Sequence, residues 1–471
     1  MSDFERVAGY FWAAQIPEVS QRGELTAAIG EEVHADLQGG ALSAGLTPGP
    51  GPVPAFEPGD MAGALRAYAA ASVARYRAIT IHGQLDTRDS VTLIDANNHG
   101  GAGLAARYIA PEAIFGAHVS PDELYSAVRF RLDDPFWLRH LTDGESSVVN
   151  DDQSVLCVEA SPEGNWLIYE ASKPTTLRQL EIRVVASCQG LAQLALYPDE
   201  DLVTSETEVR INSDSEWLPV YGPAFRAKPT DVRFDTLLPS TELTVERFAT
   251  WIELNDGFDG IAFAVARDLN VAIQAQVQVL TSLVEGFHRR LPYEQDLVPK
   301  TTNKQKQALQ RVRGAAVEAA ANQAETEGLD RELVSKLVDR ALGHIGEKSY
   351  LERAEEIIAE VRAVIPEISE AVHKLPQRIR DSRHAFAHQL PQDEKKDPLD
   401  ERVNRWIVVS KVTPWLLRAL LLLKVGVDPV LLHRKYLEFN RFAFYRANTE
   451  RRVRELGWDP LPTKPPSNND G

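Results

Sequence analysis

The sequence predicts an α+β multidomain protein, with an N-terminal β-rich domain, sandwich- or barrel-like, followed by an all-α helical bundle. Three observations lead there. At 471 residues the chain is about three times a typical single domain. Its first half carries short runs of β-branched and apolar residues separated by Gly, Asp, Asn and Ser clusters. From about residue 245 those runs give way to apolar residues recurring every three to four positions.

Residues 1–244 form the expected β-rich domain. Its first residues, MSDFERVAGYFWAAQ, have acids where a secretion signal needs a basic flank and a clean apolar core. Residues 39–60, containing TPGPGPVPAFEPG, are too rich in Gly and Pro for regular structure and read as an exposed loop. Ala78–Leu85 and Ser90–Ile94 flank a polar turn, Asp86–Asp89, as in a hairpin. Further strands are expected at Ser154–Val158, Trp166–Glu170, Leu180–Val185, Leu191–Tyr197 and Val209–Ile211. Short strands at this spacing favour a sandwich or barrel over a doubly wound sheet, whose strands alternate with long helices.

Residues 245–458 form the expected helical domain. Ile261, Val265, Leu269, Ile273, Val277, Leu280, Val284, Phe287 and Leu291 make one long amphipathic stripe. Later helices are expected at Lys304–Gln323, Arg331–Ile345, Tyr350–Val364, Pro376–Leu390, Asp400–Val425 and Pro429–Leu456. Pro376 suits a first helical turn, and Pro391 marks that helix's end. The tail 459–471, DPLPTKPPSNNDG, reads as disordered. No internal repeat of fixed period is present.

Composition narrows the function. Apolar residues make up 44% and charged residues 25%, which excludes a fibre or a wholly disordered chain. No stretch reaches the ~18 uncharged apolar residues that span a bilayer; the run Trp415 to Val427 is broken by Arg418 and Lys424. Cys157 and Cys188 are too few for a disulfide framework or a closed zinc site, which points to a cytoplasmic protein. The net charge of −17, from 51 basic and 68 acidic residues, argues against coating nucleic acid along the whole surface and leaves room only for a local basic patch. A Walker-type phosphate loop, a Gly-x-Ser-x-Gly elbow and a His-Glu-x-x-His motif are all missing, and Gly100-Gly-Ala-Gly103 lacks the strand–helix context of a dinucleotide fingerprint. No cofactor is expected.

What remains is the helix Pro376–Leu390, with Arg383, His384 and His388 in two turns, flanked by Arg378 and Arg380. His384 and His388 share a face at i and i+4, and Arg383 stands about 140° from His388 around an ideal helix. Guanidinium groups suit a phosphate, and an imidazole moves protons near neutral pH. Cleavage of RNA by its own 2′-hydroxyl needs that set: a base, an acid, and a cation for the extra phosphoryl charge. Two blander readings compete. One is a surface arginine with a bundle-facing histidine, for an Arg-x4-His match arises by chance (Arg77 and His82 also make one). The other is a metal site from Asp381, His384 and His388, for which further ligands are missing.

The segment Arg383-His384-Ala-Phe-Ala-His388 resembles the Arg-polar-x3-His motif of the HEPN superfamily, and the chain resembles its branch of ApeA-type abortive-phage-resistance proteins. Ile81-His-Gly-Gln-Leu, Val91-Thr-Leu-Ile-Asp and Ile114-Phe-Gly-Ala-His are similar to the start of that family's N-terminal domain. Val232-Arg-Phe-Asp and Phe248-Ala-Thr-Trp-Ile resemble its bridge, and Leu280-Thr-Ser-Leu-Val-Glu-Gly-Phe-His-Arg289 its first major helix. The resemblance implies an all-α HEPN bundle and an antiphage endoribonuclease that needs no metal and works as a homodimer or higher homo-oligomer. Arg383 and His388 take the catalytic positions and His384 the polar position, where relatives more often carry Asn. Glu285 lies on the helix expected nearby, as a supporting residue or as an exposed acid. His288 and Arg289 read as surface residues. The β-rich domain becomes a sensor, with a phage protein as possible trigger.

Between Pro429 and Leu456 seven cations (Arg434, Lys435, Arg441, Arg446, Arg451, Arg452, Arg454) face three acids (Glu438, Glu450, Glu455), a local +4. Tyr436, Phe439, Phe442, Phe444 and Tyr445 interleave with them. Cations with stacking rings suit single-stranded RNA, with Arg441 and Arg446 beside Arg378 and Arg380 as contacts. The plainer alternative is a core face backed by a solvated one. A competing function is a non-catalytic dimerisation or binding protein with a ligand-sensing β domain.

Overall fold

A computed structural model describes residues 6–42, 78–99, 105–132, 135–149, 153–197, 202–227, 235–266, 269, 271–295, 303–344, 347–387 and 398–458. Most of the Gly/Pro-rich 39–60 stretch and all of 459–471 lie outside them. The chain divides into two compact units, Met1–Asp268 with Lys424–Val427, and Leu269–Leu423 with Asp428–Gly471.

The first unit is β-rich. Among the described residues its thirteen strands are β1 (Val7–Ala13), β2 (Ser20–Thr26), β3 (Val33–Leu37), β4 (Ile79–Leu85), β5 (Ser90–Asn98), β6 (Ala106–Ala110), β7 (Glu112–Phe115), β8 (Tyr125–Leu132), β9 (Ser146–Val149), β10 (Ser154–Glu159), β11 (Trp166–Thr175), β12 (Thr204–Arg210) and β13 (Leu218–Tyr221). All pairings are antiparallel. The order β4-β1-β2-β3-β6-β5 closes on itself through β4–β5, giving a six-stranded barrel with no free edge. Phe11, Leu25, Val33, Ala35, Ile81, Leu93 and Tyr108 fill its interior, each at most 1% exposed. A Cβ on Gly83 would meet the Phe11 ring at 2.6 Å, so this barrel strand needs a glycine there. From β5 the sheet continues through β7, β13, β12, β8, β11, β10 and β9.

The hairpin expected around Asp86–Asp89 is β4–β5. Two expected strands are helical instead: Leu177–Leu180, a π-turn at Glu181–Val185 and helix α1 (Ala186–Leu196) run on continuously. The physical reason is burial. Cys188, Gly190, Leu191, Ala192, Leu194, Ala195 and Leu196 are all buried, so apolar residues surround this helix and the 3.6-residue period that identifies one is lost. Trp251, on helix α2 (Val245–Gly257), donates its indole N–H to the Ser187 carbonyl at 2.7 Å. Helical sequence therefore begins within the β-rich unit, and α2 packs against β9 and β10.

The second unit holds α3 (Ile273–Arg290), α4 (Asn303–Thr326), α5 (Arg331–Ala341), α6 (Tyr350–Arg362), α7 (Leu375–Ala387), α8 (Leu399–Lys424), α9 (Pro429–Glu438) and α10 (Asn440–Glu455). The stripe from Ile261 to Leu291 is not one helix: a turn at Phe263–Ala266 belongs to the first unit, and α3 starts afresh after Ala272. The expected Pro429–Leu456 helix is likewise two, because Phe439 leaves helical geometry with ψ near 118°. By length and composition α8 is apolar enough to cross a bilayer, yet Leu416, Leu417, Leu420, Leu421 and Leu422 are fully buried within the protein.

Candidate active site

Three helices of the second unit bring the site together. On α3, Val277, Leu280, Val284 and Phe287 are buried, which fixes the rotation of the helix and leaves Glu285 at its margin, its side chain 17% exposed. On α7, Leu375, Ile379 and Ser382 face inward at helical spacing, leaving Arg383 half-buried and His384 exposed. Helix α6 begins at Tyr350 behind a capping box in which Ser349 accepts from the Glu352 N–H and the Glu352 carboxylate accepts from the Ser349 N–H.

These starting points converge on one guanidinium. Arg383 Nη2 lies 2.7 Å from Glu285 Oε2, and its Cζ sits 4.5 Å from the centroid of the Tyr350 ring. The other oxygen of Glu285 accepts from Arg289 Nε at 3.0 Å and Nη2 at 2.9 Å. Tyr350 donates its hydroxyl to the Thr281 carbonyl on α3 at 2.7 Å. Burial pushes the Tyr350 phenol up; the Arg383 charge opposes this and the Glu285 charge adds to it. The ring is thus a neutral donor at one end and a cation platform on its face. A guanidinium held by a carboxylate and a ring keeps its remaining N–H groups in a fixed fork, suited to a phosphate.

Of the residues expected here, Arg383 and Glu285 meet directly. His384 follows Arg383 on the exposed side of α7. His388 lies outside the described residues. Arg380 bonds its neighbour Asp381, at 3.0 and 2.8 Å. Arg378 stacks over Trp458 at 4.2 Å, on the side of α7 away from Arg383 by helical spacing. Arg441, above the Phe439 ring at 6.0 Å, and Arg446, beside Glu367 and Glu450, belong to α10.

One expectation is corrected. His288 is not a surface residue: it is fully buried, with Nε2 2.6 Å from Glu356 and Nδ1 3.2 Å from Arg353 Nη1. Since Arg353 can only donate, His288 accepts at Nδ1 and donates from Nε2, as a neutral imidazole. Burial holds its pKa down, with Glu356 pulling the other way. Of the two readings of the aromatic residues near the C-terminus, the core face is the one found: Tyr436, Phe439, Phe442 and Tyr445 enclose Trp415 with ring centroids 5.2 to 6.2 Å away. Phe444 alone of the five is exposed, at 73%. Tyr350 escaped sequence reasoning; its signal is the Ser349-x-x-Glu352 capping box, which marks a helix start without revealing what the first side chain meets.

No group of three or more His, Cys, Asp or Glu residues is placed to hold a metal ion among the described residues. No curated protein and no solved structure matches the chain. Residues 280–430 match the family model described as Apea-like HEPN. From within α3 to the start of α9, the chain is therefore similar to an Apea-like HEPN domain.

Proposed function

We propose that this protein is an antiphage HEPN endoribonuclease that cleaves RNA by attack of a 2′-hydroxyl on the adjacent phosphodiester, without a metal. In this reading His388 of one subunit takes the proton from the 2′-hydroxyl. The 2′-oxygen then bonds to phosphorus, and the 5′-oxygen leaves with a proton from His388 of a second subunit. Arg383 bears the extra negative charge on the phosphoryl oxygens, and His384 stands beside it as second proton carrier or orienting group. The products are a 2′,3′-cyclic phosphate and a 5′-hydroxyl. Arg378, Arg380, Arg441 and Arg446 contact the RNA backbone. The β-rich unit acts as sensor, holding the nuclease idle until a phage protein binds.

The observation that carries the reading is the Arg383 guanidinium, braced by Glu285 and the Tyr350 ring on the helix whose sequence continues to His388. General acid–base groups typically contribute ~10²–10⁴-fold each. His388→Ala and Arg383→Ala are therefore expected to remove growth arrest in infected bacteria and RNA cleavage in vitro, with far-UV circular dichroism unchanged. If the purified double variant cut RNA at the wild-type rate, the assignment would be wrong.

The same ion pair favours a second reading, a non-catalytic dimerisation protein, since Glu285 already neutralises Arg383. Incubation of RNA with EDTA separates the two. Cleavage that survives chelation supports the nuclease; no cleavage in extracts of infected cells supports the binding protein.

A further inference from the structure

On the far side of α7 from Arg383, a cleft of about 280 Å³ opens between α7, the first turns of α8 and Trp458. Arg378, Arg402 and Arg405 line it with Trp406 and Trp458, against one carboxylate, Asp381. That carboxylate already accepts from Arg380.

Arg402 is 8% exposed, and its Nε has no hydrogen-bond partner among the described residues. No ion pair to it is found there either. The Arg378 Nε is likewise unpartnered, its guanidinium lying over Trp458. Burial holds the Arg378 pKa down, with Asp381 opposing and the Arg405 charge reinforcing the shift. Arginines are rarely this buried without a counter-ion, because desolvating a lone charge is costly. An anion entering the cleft supplies what the described residues do not. Two indoles beside the cations add flat apolar walls that suit a heteroaromatic ring.

We propose that this cleft binds a nucleoside phosphate, with its phosphate on Arg378 and Arg402 and its base against the tryptophan walls, either as a free nucleotide or as one unit of an RNA strand. The volume, at the low end of ligand pockets (~300 Å³ upward), limits the occupant to about one nucleotide. The inference deepens the reading of Arg378 as an RNA contact, but its test involves no cleavage, so either reading can fail alone.

The test titrates tryptophan fluorescence of the full-length protein with AMP, CMP, GMP and UMP in turn, and with inorganic phosphate and the bare nucleosides. At least one nucleotide is expected to bind ~10-fold or more tighter than its nucleoside or phosphate alone. Arg402→Met replaces a buried cation by an apolar chain of similar length. It is expected to weaken that nucleotide at least ~10-fold, the loss of a charged hydrogen bond, without lowering the unfolding temperature, since no ion pair among the described residues is broken. Should Arg402→Met fail to fold, Arg378→Gln reads the same loss. Displacement of the nucleotide by uncleavable 2′-O-methyl RNA identifies a strand unit, and retention identifies a free nucleotide; both bear the proposal out. No nucleotide binding at millimolar concentration, phosphate binding as tightly as the nucleotide, or unchanged affinity in the arginine variants overturns it.

Discussion

Glu285 makes its stability prediction through one contact, the ion pair to Arg383. The pair is intermediate between two well-measured limits. Fully exposed ion pairs contribute ~0.2–1 kcal/mol, whereas breaking a buried one costs ~3–5 kcal/mol. With the carboxylate side chain 17% and the guanidinium side chain 32% exposed at 2.7 Å, a coupling of ~1–2 kcal/mol is expected. The i,i+4 contact from Arg289, half exposed, adds only ~0.3–0.5 kcal/mol. Glu285→Ala should therefore lower the unfolding temperature of the helical unit by ~3–6 °C, read by circular dichroism at 222 nm. The decisive assay is the double-mutant cycle of Glu285→Ala with Arg383→Ala. If the two losses add to within ~0.3 kcal/mol, the residues are not coupled and the bracing role is refuted. Cleavage supplies an independent readout, for in the proposed nuclease Glu285 is a positioning residue. Glu285→Gln should slow the wild type but leave the residual rate of Arg383→Ala unchanged.

Three further outcomes are expected. Tyr350→Phe leaves the Thr281 carbonyl without its donor and should cost ~1 kcal/mol in urea unfolding while cleavage is retained, since the ring beneath Arg383 stays; a large loss of cleavage would contradict a purely supporting ring. Trp415→Ala empties the centre of the aromatic cluster and should cost ~3–5 kcal/mol with loss of near-UV ellipticity; a cost under ~1 kcal/mol would mean that the rings are not packed as described. Glu112, on β7, has its carboxyl raised from 4.5 to about 7, mainly by burial, with Glu181 and Asp95 adding and Arg178 opposing. Its folded value lies above the unfolded one, so its contribution is complete below about 4.5 and lost as pH rises through about 7. Glu112→Gln should accordingly gain thermal stability relative to wild type at pH 8 but not at pH 4; an equal difference at both pH values would exclude titration as the cause.

The sequence by itself was enough for the order of β-rich and helical regions, the β4–β5 hairpin and the existence of α6, α7 and α8. Each rests on a local signal: a polar turn between β-branched runs, a proline in a first turn, apolar residues at helical spacing. The motif on α7 was legible for the same reason, being contiguous. Where burial is complete the local signal fails. Apolar residues all round α1 carry no period, and Leu191–Tyr197 then reads as strand although it belongs to a helix. The rings of α9 and α10 carry the same ambiguity, since only packing against Trp415 separates a core ring from a stacking one. Tertiary structure alone joined Glu285 to Arg383 across the interval between α3 and α7, buried His288 against Arg353, and left the Arg402 Nε buried in the second unit with no hydrogen-bond partner among the described residues. Contacts between residues far apart in the chain depend on how faces of different helices meet, and no local pattern of residues encodes that meeting.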